Sequence, residues 1–198
     1  MLLLFPASTV LAESQAAMVM VSGIAALNGT ALAGTTSIFS GDLLETAANS
    51  GLTINTKGST ILIGANSRVH YFGSSIELQL GSTQVNTSQK LEVQTETIKV
   101  EPKGASAKFR VDRAPHKVVI AALENEVLLD NNGETTVIPQ GTTVTLEEKD
   151  RDQAASPVSG PSNRRIFGIV LIAAGGTAAV LYGRSELNKK KVISNQIP

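Results

Sequence analysis

The residues of this chain that could carry chemistry are few: His70 and His116, the acidic set Glu124, Glu126 and Asp130, and Asp42 within a Ser40-Gly41-Asp42 step. A metal site needs three or four converging ligands. The two histidines stand far apart in the sequence, with no Cys in the chain and no HxxxH or HxxE spacing around them, so each reads as a structural histidine. Glu124, Glu126 and Asp130 fall at even spacing, which on a strand puts them on one face. That pattern forms a solvated face more simply than a general acid and base. Asp42, next to a glycine, reads as a turn residue whose carboxylate bonds nearby backbone. No nucleophile elbow, phosphate loop or GxGxxG is present. The chain is expected to bind or signal rather than catalyse, and no cofactor or metal is expected.

Composition narrows the partners. Charged residues make up 17% of the 198 positions and the formal net charge is +0, so no basic field draws the chain to nucleic acid. Absence of cysteine removes disulfides, thiol catalysis and cysteine metal sites, and leaves the compartment open. With no Trp, two Tyr and five Phe, the chain lacks the aromatic platforms commonly used to stack sugars or bases, although polar binding stays open.

The elements that must position any site follow from the patterning. Between residues 17 and 148, short alternations of apolar and polar residues are separated by Gly, Asn or Ser turns, which is the pattern of half-buried strands. Leu52 and Ile54, Ile61 and Ile63, Val69 and Tyr71, then Ile76, Leu78 and Leu80, and Leu91 and Val93 each share a face at period two. Breaks are expected at Asn49-Ser50-Gly51, Lys57-Gly58-Ser59, Asn66-Ser67, Gly73-Ser74-Ser75 and Gly81-Ser82. Asn28-Gly29 is a two-residue hairpin signal, because both turn positions take positive φ. The expected fold is all-β, a stack of short strands that is either solenoid-like or a sandwich, since both bury one face of each strand.

Two segments read as membrane signals. Residues 166–183, IFGIVLIAAGGTAAVLYG, carry no charge and lie between Arg164-Arg165 and Arg184. As a helix they would span roughly 27 Å, close to a hydrocarbon core. Lys189, Lys190 and Lys191 behind the span put residues 184–198, a short basic tail, in the cytoplasm and the β body outside it. Residues 1–12 read as a signal peptide or apolar leader, with Val10-Leu11-Ala12 as a small-residue cleavage site. Residues 149–165, charged and then rich in Pro, Ser and Gly, read as a flexible linker. Gly175, Ala179 and Gly183 recur every four residues on one face of the expected helix, a small-residue pattern that would let two spans pack as a homodimer.

With the strands placed, the body resembles the FecR-like domain of bacterial envelope proteins. The resemblance rests on Ser40-Gly41-Asp42-Leu43-Leu44-Glu45-Thr46, then Gly58-Ser59 and Asn66-Ser67, then Leu78-Gln79-Leu80-Gly81 leading to Val85, and Val93-Gln94-Thr95. It continues through Gly104 to Phe109-Arg110-Val111, where the Gly-to-Phe interval is longer than the family's, and ends at Gly141 before Thr142 to Leu146. Glu124-Asn125-Glu126-Val127 has Asn where the family carries Gly, and Asn is the usual substitute where φ is positive. The family-motif turn residues are thus Gly41, Asp42, Gly58, Ser59, Asn66, Gly81, Gly104 and Gly141. In its best-known members this domain sits in the periplasm of an iron-uptake regulator, after an anti-sigma segment and a membrane span. Here the β body precedes the span, so control of a sigma factor is not carried over. The resemblance implies a module held at the bacterial inner membrane that senses a ligand or an unknown envelope protein. The alternative is a structural or cell-wall glycan-binding module on the same tether.

Overall fold

The computed structural model describes residues 16–148, 167–173 and 178–181. Its elements are all strands: β1 (Ala17–Ser22), β2 (Ala25–Leu27), β3 (Thr30–Leu32), β4 (Thr35–Ile38), β5 (Leu43–Thr46), β6 (Gly51–Thr56), β7 (Ser59–Ile63), β8 (Arg68–Tyr71) and β9 (Ser75–Thr87). They continue with β10 (Glu92–Gln94), β11 (Ile98–Pro102), β12 (Ala107–Ala114), β13 (Lys117–Glu124), β14 (Val127–Asn131), β15 (Glu134–Ile138), β16 (Thr142–Glu148), β17 (Phe167–Ala173) and β18 (Ala178–Leu181).

The pairings define two sheets. Sheet A runs β4-β1-β6-β7-β9-β12-β13-β16-β17-β18. Sheet B runs β3-β2-β5-β8-β9-β10-β11-β14-β15. Every neighbour is antiparallel except β9 and β10, which are parallel. Hairpins are laid alternately on the two sheets: β6–β7 on A, β10–β11 on B, β12–β13 on A, β14–β15 on B. The chain therefore winds like a coil of strands and closes like a sandwich.

Period-two burial explains why the two sheets meet. In β7 the pattern is buried at Ser59, Ile61 and Ile63 and exposed between them. Inward residues of sheet A (Val19, Ile54, Ile61, Val85, Phe109, Ile120, Val144) and of sheet B (Leu44, Val69, Ile76, Val93, Val100, Leu129) form one core cluster. Each such side chain contributes about 1.5–3 kcal/mol by leaving water.

The strand β9 joins the sheets and corrects the expected break at Gly81-Ser82. Its 13 residues pair with β8 of sheet B through Ile76 and Leu78, then with β7 and β12 of sheet A through Thr83 to Thr87. Gly81, at φ +92°, bends the strand without ending it. Opposite it the register slips, so that Val69 faces Leu78 while Arg68 faces Leu80. Inward residues change from Ile76 and Leu78 to Thr83, Val85 and Thr87. Leu80, expected on the buried face with Ile76 and Leu78, is 43% exposed for this reason.

Within the segment expected to be a helix, the described residues are those of β17 and β18, and their backbone is extended. β17 pairs with β16 from Phe167 opposite Glu148 to Ala173 opposite Thr142, and β18 pairs back on β17. The run Ile169-Val170-Leu171-Ile172 has strand propensity, and β16 supplies the edge that satisfies its backbone. Among the described residues no helix is long and apolar enough to cross a membrane. The remainder of 166–183, the expected leader 1–12, the linker 149–165 and the tail 184–198 lie outside the described residues.

Candidate functional site

Three turns meet at one end of the sandwich and leave a polar groove of about 490 Å³, lined by Lys103, Gly104, Ala105, Ser106, Asn125, Glu126 and Gln140. They are the connections β11–β12, β13–β14 and β15–β16. Asn125 organises them, with a positive φ of 63° at the tight turn between β13 and β14. Its backbone N–H donates to Gln140 Oε1 at 3.3 Å, and its side-chain amide donates to the Ser106 carbonyl at 3.2 Å and hydroxyl at 3.3 Å. Lys103 Nζ meets Glu126 Oε2 at 2.6 Å across the groove, and Lys103 N donates to the Glu126 carbonyl at 3.2 Å. One ammonium and one carboxylate neutralise each other here, and the Ser106 hydroxyl accepts from the Asn125 amide. The groove can hold a small polar group by hydrogen bonds; Gly104 is among its lining residues, and Gly141 follows Gln140 in the chain.

The structure spreads the other nominated residues over the body. Asp42 accepts from Asn28 Nδ2 at 2.8 Å and from the Phe39 N–H at 2.8 Å, while Asn28 Oδ1 accepts from the Leu43 N–H at 2.9 Å. Asn28 and Gly29, at φ 50° and 77°, form the hairpin turn between β2 and β3. Gly58 sits in the β6–β7 turn, and Ser59 shares a buried 2.6 Å hydrogen bond with Thr87. Asn66, at φ 52°, precedes Ser67, which touches Gly81. His70 lies on the outer face of β8 and exposed His116 in the β12–β13 turn, at the opposite end of sheet A from the groove. Glu124, Glu126 and Asp130 do not converge: Glu124 pairs with Lys108 at 3.0 Å, Glu126 with Lys103, and the Asp130 carboxylate accepts from the Gly133 N–H at 2.7 Å. Among the described residues no three His, Cys, Asp or Glu side chains come together to hold a metal. Ala179 lies in β18 opposite Leu171, and Gly175 and Gly183 lie outside the described residues.

Surface features that the sequence reading passed over are legible once the faces are assigned. On the outer face of sheet A, Met18 and Met20 are 54% and 52% exposed, because Val19 between them takes the inward position. Met20 faces Thr53, which faces Leu62, so the two apolar side chains share one row across the sheet about 10 Å apart with Thr53 between them. On the outer face of sheet B, the rings of His70 and Phe72 stack with centroids 6.0 Å apart and planes within 16°. Aromatic residues at strand ends, rather than within the alternation, were the available signal.

Burial pushes the Tyr71 phenol above its ordinary value, and a hydrogen bond from Lys90 to Glu101, at 3.0 Å, holds the Lys90 ammonium above its own.

No family model matches this chain, and no curated protein matches it. Among solved structures it is similar to two crystal structures of "a putative anti-sigma factor from Parabacteroides distasonis ATCC 8503", at 11% and 10% identity. Each superposition has a TM-score of 0.47 and covers 53% of this chain and 54% of the other. The chain thus spans about half the length of the solved structures it matches, and at this level the likeness carries no argument about activity.

Proposed function

We propose that the chain is a membrane-anchored, extracytoplasmic module of the FecR-like kind that docks a protein partner in the bacterial envelope through the outer face of sheet A. The observation that carries this reading is half-exposed Met18, Met20 and Leu62 together on the outer face of one sheet. Around it lie uncharged Thr53, Asn55, Thr60, Gln84 and Asn86, so desolvating the face costs no unpaired charge. Methionine adapts to irregular partner surfaces, and exposed apolar side chains gathered on one face mark contact sites. Anchoring rests on the uncharged run 166–183 between arginines. Residues 167–173 of that run pair with β16 as a strand, and in hydrocarbon a helix would satisfy the same backbone groups within itself. The order of turns from Ser40-Gly41-Asp42 to Gly141 supports the family-level part of the reading.

A photoreactive phenylalanine analogue at position 20 or 62 in the full chain tests the docking face. A discrete crosslinked protein is expected from these positions and not from position 135 on β15 of sheet B; the same products from all three would remove the assignment. Anchoring is tested by fractionation, where the chain is expected in the membrane pellet and its recovery in a detergent-free supernatant would overturn it.

A further inference from the structure

We propose that Met18 and Met20 form a reversible oxidation site, at which hydrogen peroxide converts both thioethers to sulfoxides and thereby releases the partner from the outer face of sheet A. The release rests on that face being the docking face, whereas the oxidation rests only on the surroundings of the two sulfurs.

The chain has three methionines and no cysteine, and Met1 lies outside the described residues. Between residues 17 and 148, every sulfur atom is therefore carried by Met18 or Met20. Both side chains are half-exposed, while Val19 between them is wholly buried. They stand about 7 Å apart along one face of β1. An oxidant selective for sulfur finds no second target in the β body. The neighbours suit the product as well as the reactant. β1 lies between β4 and β6, where Met18 faces Ser37 and Asn55, and Met20 faces Thr35 and Thr53. All four neighbours are uncharged and carry a hydroxyl or an amide. The Asn55 amide donates to Met20 Sδ at 3.9 Å. A thioether is a weak acceptor and a sulfoxide oxygen a stronger one, so the same donor can hold the oxidised side chain.

Peroxide supplies both the oxygen and the oxidising equivalents. A lone pair of Sδ attacks one peroxide oxygen, and the S–O bond forms as the O–O bond breaks. The transferred hydroxyl gives up its proton, and the departing hydroxide takes one up to leave as water. Sulfur loses two electrons and the peroxide gains them. The dithiol of a methionine sulfoxide reductase reverses the change: it returns two electrons and two protons, the oxygen leaves as water, and the dithiol becomes a disulfide. Both sulfurs lie outside the core, so the new polar group appears where the fold needs no apolar one. On the docking face it has a different weight. Each sulfoxide must shed its water against a partner surface shaped for a thioether, and of the three apolar side chains only Leu62 stays unchanged.

In the test, the full-length chain carrying the photoreactive phenylalanine analogue at position 62 is treated in detergent with hydrogen peroxide and freed of it with catalase. It is then mixed with a detergent extract of envelopes from cells that lack the chain, so that only this chain has met the oxidant. Peptide masses are expected to show one added oxygen at each of Met18 and Met20, with the thermal melt retained. The discrete crosslink given by the untreated chain is expected to fall roughly tenfold, the weight of one or two polar groups left without partners. It is expected to return after incubation with the two epimer-specific methionine sulfoxide reductases and a dithiol. Crosslinking that survives with both sulfurs oxidised overturns the switch and leaves the docking face standing. An untreated chain that gives no discrete crosslink removes the docking face and the switch with it. Sulfurs that resist peroxide, a melt lost on oxidation, or a loss of crosslinking that the reductases do not reverse also overturn the proposal.

Discussion

Ser67 and Gly81 interlock at the point where β9 passes from one sheet to the other: the Ser67 hydroxyl accepts from the Ser82 N–H at 3.0 Å, and a Cβ built on Gly81 would fall 2.5 Å from Ser67 Cα. The glycine is required twice, by its φ of +92° and by the backbone pressed against it. Gly81→Ala is expected to cost about 3 kcal/mol or more, from positive φ and overpacking together. Gly141→Ala, at φ +78° with nothing within 4 Å, is expected to cost only about 1 kcal/mol. Denaturant unfolding of the two variants separates these terms, and equal losses would show that the Ser67 contact contributes nothing.

Thr46 braces the same corner. Its hydroxyl donates to the Gly64 carbonyl at 2.6 Å and accepts from the Ser67 N–H at 2.9 Å, and the residue is 8% exposed. Thr46→Val keeps the shape and orphans both backbone groups, with an expected loss of about 2–4 kcal/mol. Thr46→Ser keeps the hydroxyl and is expected to lose about 1 kcal/mol for the missing methyl group. Thermal melts of the pair check the order.

Asp42 and Asn28 bind each other and, between them, the N–H groups of Phe39 and Leu43. Asp42→Ala is expected to destabilise by about 1 kcal/mol, since the bonds are exposed. In a double-mutant cycle with Asn28→Ala, a coupling of roughly 0.5–1 kcal/mol is expected, and strict additivity would show that the two side chains act separately.

Stability at alkaline pH follows from Tyr71. The folded protein holds its phenol protonated above the ordinary value, whereas the unfolded chain ionises near pH 10. As pH rises past about 10 the unfolded state binds fewer protons than the folded one, so this contribution is present below that pH and lost above it. Melting curves at pH 9 and pH 11 are expected to show a drop that is smaller in Tyr71→Phe.

Much of the local structure was readable from residue types. The Asn28-Gly29 hairpin forms between β2 and β3, and the inward faces of β6, β7 and β8 match the alternation, because period two and positive φ are properties of neighbouring residues. Asn125 adopts φ 63° in the place expected for a glycine-like turn, for the same reason. Gly81-Ser82 was misread as a break. A glycine at positive φ can end a strand or bend it, and the difference lies in whether Thr83 to Thr87 find partners on β7 and β12.

Short strands, an aliphatic core and the places of most turns are encoded in the order of residue types, since backbone sterics and burial pattern act over a few residues. That β9 belongs to both sheets and that the hairpins alternate between them follows from long-range pairing. So do the groove shared by Lys103, Ser106, Asn125 and Gln140 and the alignment of Met20 with Leu62. These are contacts between residues far apart in the chain, and their selection depends on which sheet edges and faces remain to be covered once the local strands have formed.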